Sequence, residues 1–303
     1  MRQTTLSRTY EFEGKGLHTG EHVRVSLCPA PEWHGIVFCR RDISPFERIQ
    51  ALASNVTDTS RSTCLGNGRV SVRTVEHLLS ALAGMGVDNA LVNVWGGEVP
   101  ILDGSALPYA RAIKADALKE LDAPRKYIEL PDTVEVSDPR SGSFVRLEPA
   151  DEPSFEVTVD YGSRVLGVQK AFWDPSVDYA AQIAPSRTFV FFHELEYLHS
   201  PGLIHGGDVD NAIVVVERPV GRESIDRIAA LFGQEGVDVT PEGYLSNLTL
   251  RFPNECGRHK LLDLIGDISL AGGLPRAKVT ACKSGHSINT RAVAAVLRLI
   301  GNN

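Results

Sequence analysis

The chain has 303 residues, 43% hydrophobic and 23% charged, the proportions of a globular protein with apolar material for one large domain or two ordinary ones. Its formal net charge of −7 excludes a general nucleic-acid binder, which needs clustered Lys and Arg against phosphates. The opening MRQTTLSRTYEFEGKG lacks the apolar stretch of a secretory leader, and no run approaches the ~20 apolar residues that span a bilayer. The expectation is a cytoplasmic protein without a stable membrane anchor.

In chain order, Val23, Val25 and Leu27 alternate with polar residues and predict a strand, followed by a second at Ile36-Val37-Phe38. Thr74 to Ala83 reads as a helix with Leu78, Leu79 and Leu82 on one side and Glu76 and His77 on another. Ala90 to Trp95 is a strand, and the turn Asp103-Gly104-Ser105 precedes a helix through about Leu118. Leu121 to Arg125 is the best linker, which divides the chain into domains 1–124 and 125–303. Strands follow at Thr133–Val136, Ser143–Leu147, Phe155–Asp160 and Asn211–Val216. A helix runs from about Glu255 to Ala271, then a strand Ala277–Cys282, a turn Lys283-Ser284-Gly285-His286 and a final helix Asn289–Ile300. Both halves carry a histidine-bearing helix, a strand, a glycine-containing tripeptide and another helix. That shared order predicts two similarly built α+β domains.

The most informative stretch is Arg258-His259-Lys260-Leu261-Leu262-Asp263-Leu264-Ile265-Gly266-Asp267. At about 3.6 residues per turn, His259, Asp263 and Asp267 share one helical face. An imidazole and a carboxylate one turn apart can grip one divalent ion, although a solvated polar face has the same pattern. In Glu76-His77 the labour can be divided: His77 on a metal, Glu76 on the attacking water. Taken alone, the plainer reading is the better one: Glu76 a surface residue and His77 a satisfied core histidine. His286 stands where an imidazole can protonate a leaving amine near neutral pH, and Asp267 could orient it; a turn-capping histidine is the plainer reading. The five cysteines, Cys28, Cys39, Cys64, Cys256 and Cys282, form no CxxC and read as buried reduced thiols. No Walker motif, dinucleotide fingerprint or HExxH occurs.

TVEHLLSAL, RHKLLDLIGD and KSGH, together with GKGLHTG, VPILDGSALPY, SRTF and GLIHGGDVDNAIVV, resemble the UDP-3-O-acyl-N-acetylglucosamine deacetylases of lipid A biosynthesis, in register from about residue 4 to residue 300. The resemblance implies two layered sheet-and-helix domains facing each other around a zinc ion, each with a small insert. It implies His77, His259 and Asp263 as zinc ligands, Glu76 as general base, His286 as general acid, Asp267 as its holder, Thr188 as oxyanion donor and Lys260 as a substrate contact. Ferrous iron suits the same ligands. Leu17 and His18 are implied at the border of the site, Phe189 near the sugar-nucleotide end and Lys283 at the phosphates. The second insert, around 194–211, is implied to form an acyl passage, with Leu195, Leu198, Leu203, Ile204 and Val209 as lining or as ordinary core. Arg61-Ser62 stands where relatives often carry Met, Leu or Cys. The implied substrate is an acylated UDP-amino sugar and the implied enzyme a monomer. The rivals are a metal amidase on another N-acyl sugar nucleotide and a non-catalytic sugar-nucleotide binder.

Overall fold

The computed structural model describes residues 1–199, 211–231 and 234–301. Two sheets with the same strand order organise it. In the first, Tyr10–Lys15 pairs antiparallel with His22–Pro29, which pairs antiparallel with Ala90–Trp95; Ile36–Arg40 runs parallel to Ala90–Trp95 and antiparallel to Arg48–Gln50. In the second, Val134–Asp138, Ser143–Pro149, Pro275–Cys282, Ser154–Asp160 and Val168–Trp173 take the same five places with the same directions. In each half two hairpins form first, and a later strand returns to pair between them. That central strand follows a helix, Glu76–Gly84 or Glu255–Ile268, and is followed by another, Leu107–Lys114 or His286–Gly301.

Period-two patterning explains the strands. Val23, Val25 and Leu27 face the core, as do Ala277, Val279 and Ala281 of the central strand of the second sheet. Each half carries its insert between its fourth strand and its first helix. The first insert is a small sheet of Val56–Asp58, Cys64–Gly66 and Ser71–Val72. The second pairs Thr188–Phe191 parallel with Ala212–Val215 and includes the helix Phe192–His199.

One apolar core joins the halves. Leu78, Leu79 and Leu82 of the Glu76 helix share it with Leu261, Leu262, Leu264 and Ile265 of the Glu255 helix, and these two helices pack on each other. Gly266 permits that approach, because a methyl group at its Cα would collide with the backbone carbonyl of Glu76. The Glu255 helix also covers Ser154–Asp160 and Val168–Trp173.

Four expectations are corrected. The linker Leu121–Arg125 is largely a strand: Lys119–Pro124 pairs antiparallel with Arg2–Thr5, and backbone pairing, to which composition is blind, decides it. The helix after Asp103 spans only Leu107–Lys114. The last helix starts at His286 rather than Asn289, so His286 belongs to a helix and not to a turn. The five cysteines are free, but Cys28 and Cys282 are only half-buried. No described helix is long and apolar enough to cross a membrane.

Candidate active site

The Glu255 helix is buried on nearly every side, which removes the solvated-face reading: His259, Asp263 and Asp267 are 2%, 3% and 0% exposed. Buried carboxylates need partners. Asp263 Oδ2 accepts from Lys260 Nζ at 2.9 Å, while Asp263 Oδ1 is buried with no hydrogen-bond donor among the described residues. Facing that oxygen are His77 Nε2 at 3.6 Å and His259 Nε2 at 3.5 Å. Bonds of about 2 Å to one ion set tetrahedral donors roughly 3.3 Å apart. One ligand atom from each of these three buried residues lies within 4.8 Å of the others. Burial pushes both imidazoles down, His259 to about 3, so each is neutral and offers a lone pair. Burial pushes Asp263 up, but the basic groups around it, with the Lys260 ammonium bonded at 2.9 Å, hold the carboxyl well below the usual range. His259 Nδ1 meets the Ser186 carbonyl at 3.1 Å; with the proton there, Nε2 is left to face the cluster. The donors, their spacing and the orphaned oxygen fit a divalent metal ion.

Beside the cluster stands a second group. His286 Nε2 lies 3.8 Å from Glu76 Oε1, and His286 Nδ1 lies 2.9 Å from Asp267 Oδ2. Burial alone would lower His286, and the helix N-terminus on which it sits opposes a positive charge. Asp267 and then Glu76 reverse this and raise it to about 9. Glu76 is pushed up to about 7, chiefly by burial, with His286 pulling the other way. An acid and a base with raised values thus face each other across less than 4 Å. Asp267 accepts also from Thr63 Oγ1 at 2.6 Å and Asn289 Nδ2 at 2.9 Å, and Glu76 Oε2 accepts from Thr63 N at 3.0 Å.

The profile of the UDP-3-O-acyl N-acetylglycosamine deacetylases (LpxC) matches residues 3–229 and 233–298. The chain belongs to that family. Its similarity to the UDP-3-O-acyl-N-acetylglucosamine deacetylase of Myxococcus xanthus is 40% identity over 97% of the chain and 86% of the relative. For the protein of the same name from Pseudomonas entomophila it is 40% over 96% and 88%. The bifunctional enzyme LpxC/FabZ of Porphyromonas gingivalis is 42% identical over all of the chain, which spans only 65% of that relative's length.

Of the remaining family-implied residues, Phe189 and Lys260 touch this centre. Thr188 lies between Ser186, whose carbonyl meets His259, and Phe189, whose ring stands edge-on to His259 at 6.3 Å. Thr188 N donates to the Gly104 carbonyl at 2.8 Å, so the Asp103-Gly104-Ser105 turn holds this strand from the other half. Lys260 Nζ lies 5.5 Å from the centre of the Phe189 ring. Lys283 pairs with Asp160 at 3.2 Å, and the neighbouring Tyr161 ring meets Phe189 at 5.7 Å. Leu17 and His18 occupy the loop before His22–Pro29; His18 Nε2 is buried without a donor or acceptor among the described residues, and its backbone N–H donates to Glu98. Burial lowers the His18 imidazole. Leu195 is buried among Phe192, Val214 and Ile228 of the second insert. Leu198 lies on the helix Phe192–His199, but its side-chain surroundings, like Leu203, Ile204, Val209 and most of the implied passage, lie outside the described residues. Arg61 has a left-handed backbone, φ 66°, and reaches Glu194 of the second insert at 3.6 Å.

Four residues escaped the sequence reading. Thr63 and Asn289 are short polar residues with no spacing signal. Arg187 and Glu255 form a buried two-pronged pair, Nε–Oε1 2.8 Å and Nη2–Oε2 3.1 Å. Glu255 opens the helix that carries His259 and Asp263, and Arg187 separates Ser186 from Thr188. Only the preference for an acidic residue in a first helical turn hinted at Glu255.

Proposed function

We propose that the chain is a zinc-dependent amide hydrolase that removes the N-acetyl group from UDP-3-O-(3-hydroxyacyl)-N-acetylglucosamine and releases acetate, the step after which its family is named. The observation that carries the reading is the adjacency of two buried groups: an orphaned Asp263 oxygen between two neutral imidazoles, and the Glu76–His286 pair beside it.

His77, His259 and Asp263 would hold the metal. Bound there, zinc would polarise the amide carbonyl and acidify water. Glu76 takes the proton of the attacking water as its oxygen bonds to the acetyl carbon. The Thr188 hydroxyl donates to the oxygen on which negative charge develops. As the C–N bond breaks, His286 Nε2 gives its proton to the departing amine, and Asp267 holds the imidazole by Nδ1. Lys260 and Phe189 contact the sugar nucleotide, Leu17 and His18 border it, and Lys283 meets its phosphates. Leu195, Ile204 and Val209 line the acyl chain's path. The halves 1–124 and 125–303 act as the two domains that bring Glu76-His77 and His259-Asp263 together.

The deciding assay measures acetate release from the acylated sugar nucleotide and from its analogue without the 3-O-acyl chain. It uses enzyme stripped by a chelator and reloaded with zinc, ferrous iron or magnesium. Release only after reloading, and chiefly from the acylated substrate, is expected. Glu76→Ala should lose about 10²–10⁴-fold in kcat with its metal content unchanged. Turnover that survives full metal removal would overturn the reading.

A further inference from the structure

Thr63, on the first insert, touches both proton-carrying groups. It is fully buried, its backbone N–H donates to Glu76 Oε2 at 3.0 Å, and its hydroxyl donates to Asp267 Oδ1 at 2.6 Å across the junction of the two halves. Its own carbonyl accepts from Val75 N at 3.3 Å, which ties it to the start of the Glu76 helix. No bond of Thr63 is left to solvent. Asp267 Oδ2 is shared by His286 Nδ1 and Asn289 Nδ2, whereas Thr63 is the only hydrogen-bond donor to Oδ1 among the described residues.

We propose that Thr63 is a positioning residue for the deacetylation reaction, bridging the Glu76 carboxylate and the Asp267–His286 pair so that base and acid keep their mutual geometry. The inference rests on the hydrolase reading above. The physical basis is that a carboxylate pinned at one oxygen only can rotate about its Cβ–Cγ bond. Rotation of Asp267 would slacken the Nδ1 bond and carry His286 Nε2 away from the leaving nitrogen. A misplacement of about 1 Å can cost ~10²-fold in rate. The Glu76 contact uses the backbone of Thr63, so side-chain substitutions test the Asp267 bond separately.

The experiment compares Thr63→Val, which keeps volume and loses the hydroxyl, with Thr63→Ser, which keeps both bonds. Each is made in the wild-type and Asp267→Asn backgrounds. We expect Thr63→Val to lower kcat by at least about tenfold, with KM and metal content within about twofold of wild type. Thr63→Ser should stay within about threefold of wild type, and in the Asp267→Asn background Thr63→Val should add less than about twofold. Thr63→Ala takes the place of Thr63→Val if the latter does not fold. An unchanged kcat, a loss of metal, a Ser variant no better than Val, or the same penalty in both backgrounds would each overturn the proposal. A wild-type chain that releases no acetate fails the hydrolase reading itself and takes this inference with it.

Discussion

Gly266 lies directly against the backbone carbonyl of Glu76, with no side chain between the two helices at that point. The contact sets how near Asp263 and Asp267 come to Glu76 and His77. Gly266→Ala should push the helices apart. A loss of about 1–3 kcal/mol in unfolding free energy is expected from overpacking, measured by denaturant titration, together with weaker metal retention on dialysis. Wild-type stability and metal content in this variant would show that the helices can part without cost.

Of His77, His259 and Asp263, the proposed metal ligands, Asp263 is the one carboxylate, and its Oδ1 has no hydrogen-bond donor among the described residues. Asp263→Ala should therefore release the metal, read by elemental analysis of the purified protein. Lys260 would lose its partner in the same variant, so Lys260→Met serves as the control and should keep the metal. Retained metal in Asp263→Ala contradicts the ligand assignment.

As the proposed acid, His286 must be protonated, so activity should fall as pH rises through its value of about 9. Asp267 and Glu76 hold it that high against burial. Asp267→Asn removes the larger of the two supporting charges and should move the alkaline limb of the kcat profile to lower pH, besides lowering its plateau. The limb belongs to the coupled Glu76–His286 pair rather than to one residue. A limb that does not move contradicts His286 as the acid.

Arg187 and Glu255 are buried and paired, and breaking such a pair leaves an uncompensated charge, which costs about 3–5 kcal/mol. Glu255→Ala should cost stability on that scale in a thermal melt. Arg187→Lys keeps the charge but loses the two-pronged fit. It should mainly reduce kcat, because Ser186 and Thr188 flank it. An Arg187→Lys variant with unaltered kcat would show that this strip is held by other contacts.

How much of this was legible varies residue by residue. The His259-Asp263-Asp267 face follows from helical periodicity, and the structure keeps it as one face. Strands such as Ala90–Trp95 announced themselves through Val, Leu and Trp. Lys119–Pro124 did not, because its pairing with Arg2–Thr5 is a backbone match over long range. The start of the last helix was missed because Ser284-Gly285-His286 reads locally as a turn, while Asp267 and Thr290 hold His286 within the helix.

The sequence by itself determined the two-fold repeat of elements, the chemical types of the residues proposed to carry metal and protons, and the family, since all of these are recorded in local order and spacing. Only the tertiary structure decided that Asp267 turns to His286 while Asp263 turns to the two neutral imidazoles. It also decided that Thr63 bonds to both Glu76 and Asp267 and that Arg187 pairs with Glu255. Those choices depend on which side chains from distant segments meet in the buried space between two helices, where a carboxylate takes the donor that reaches it, and no interval along the chain encodes that distance.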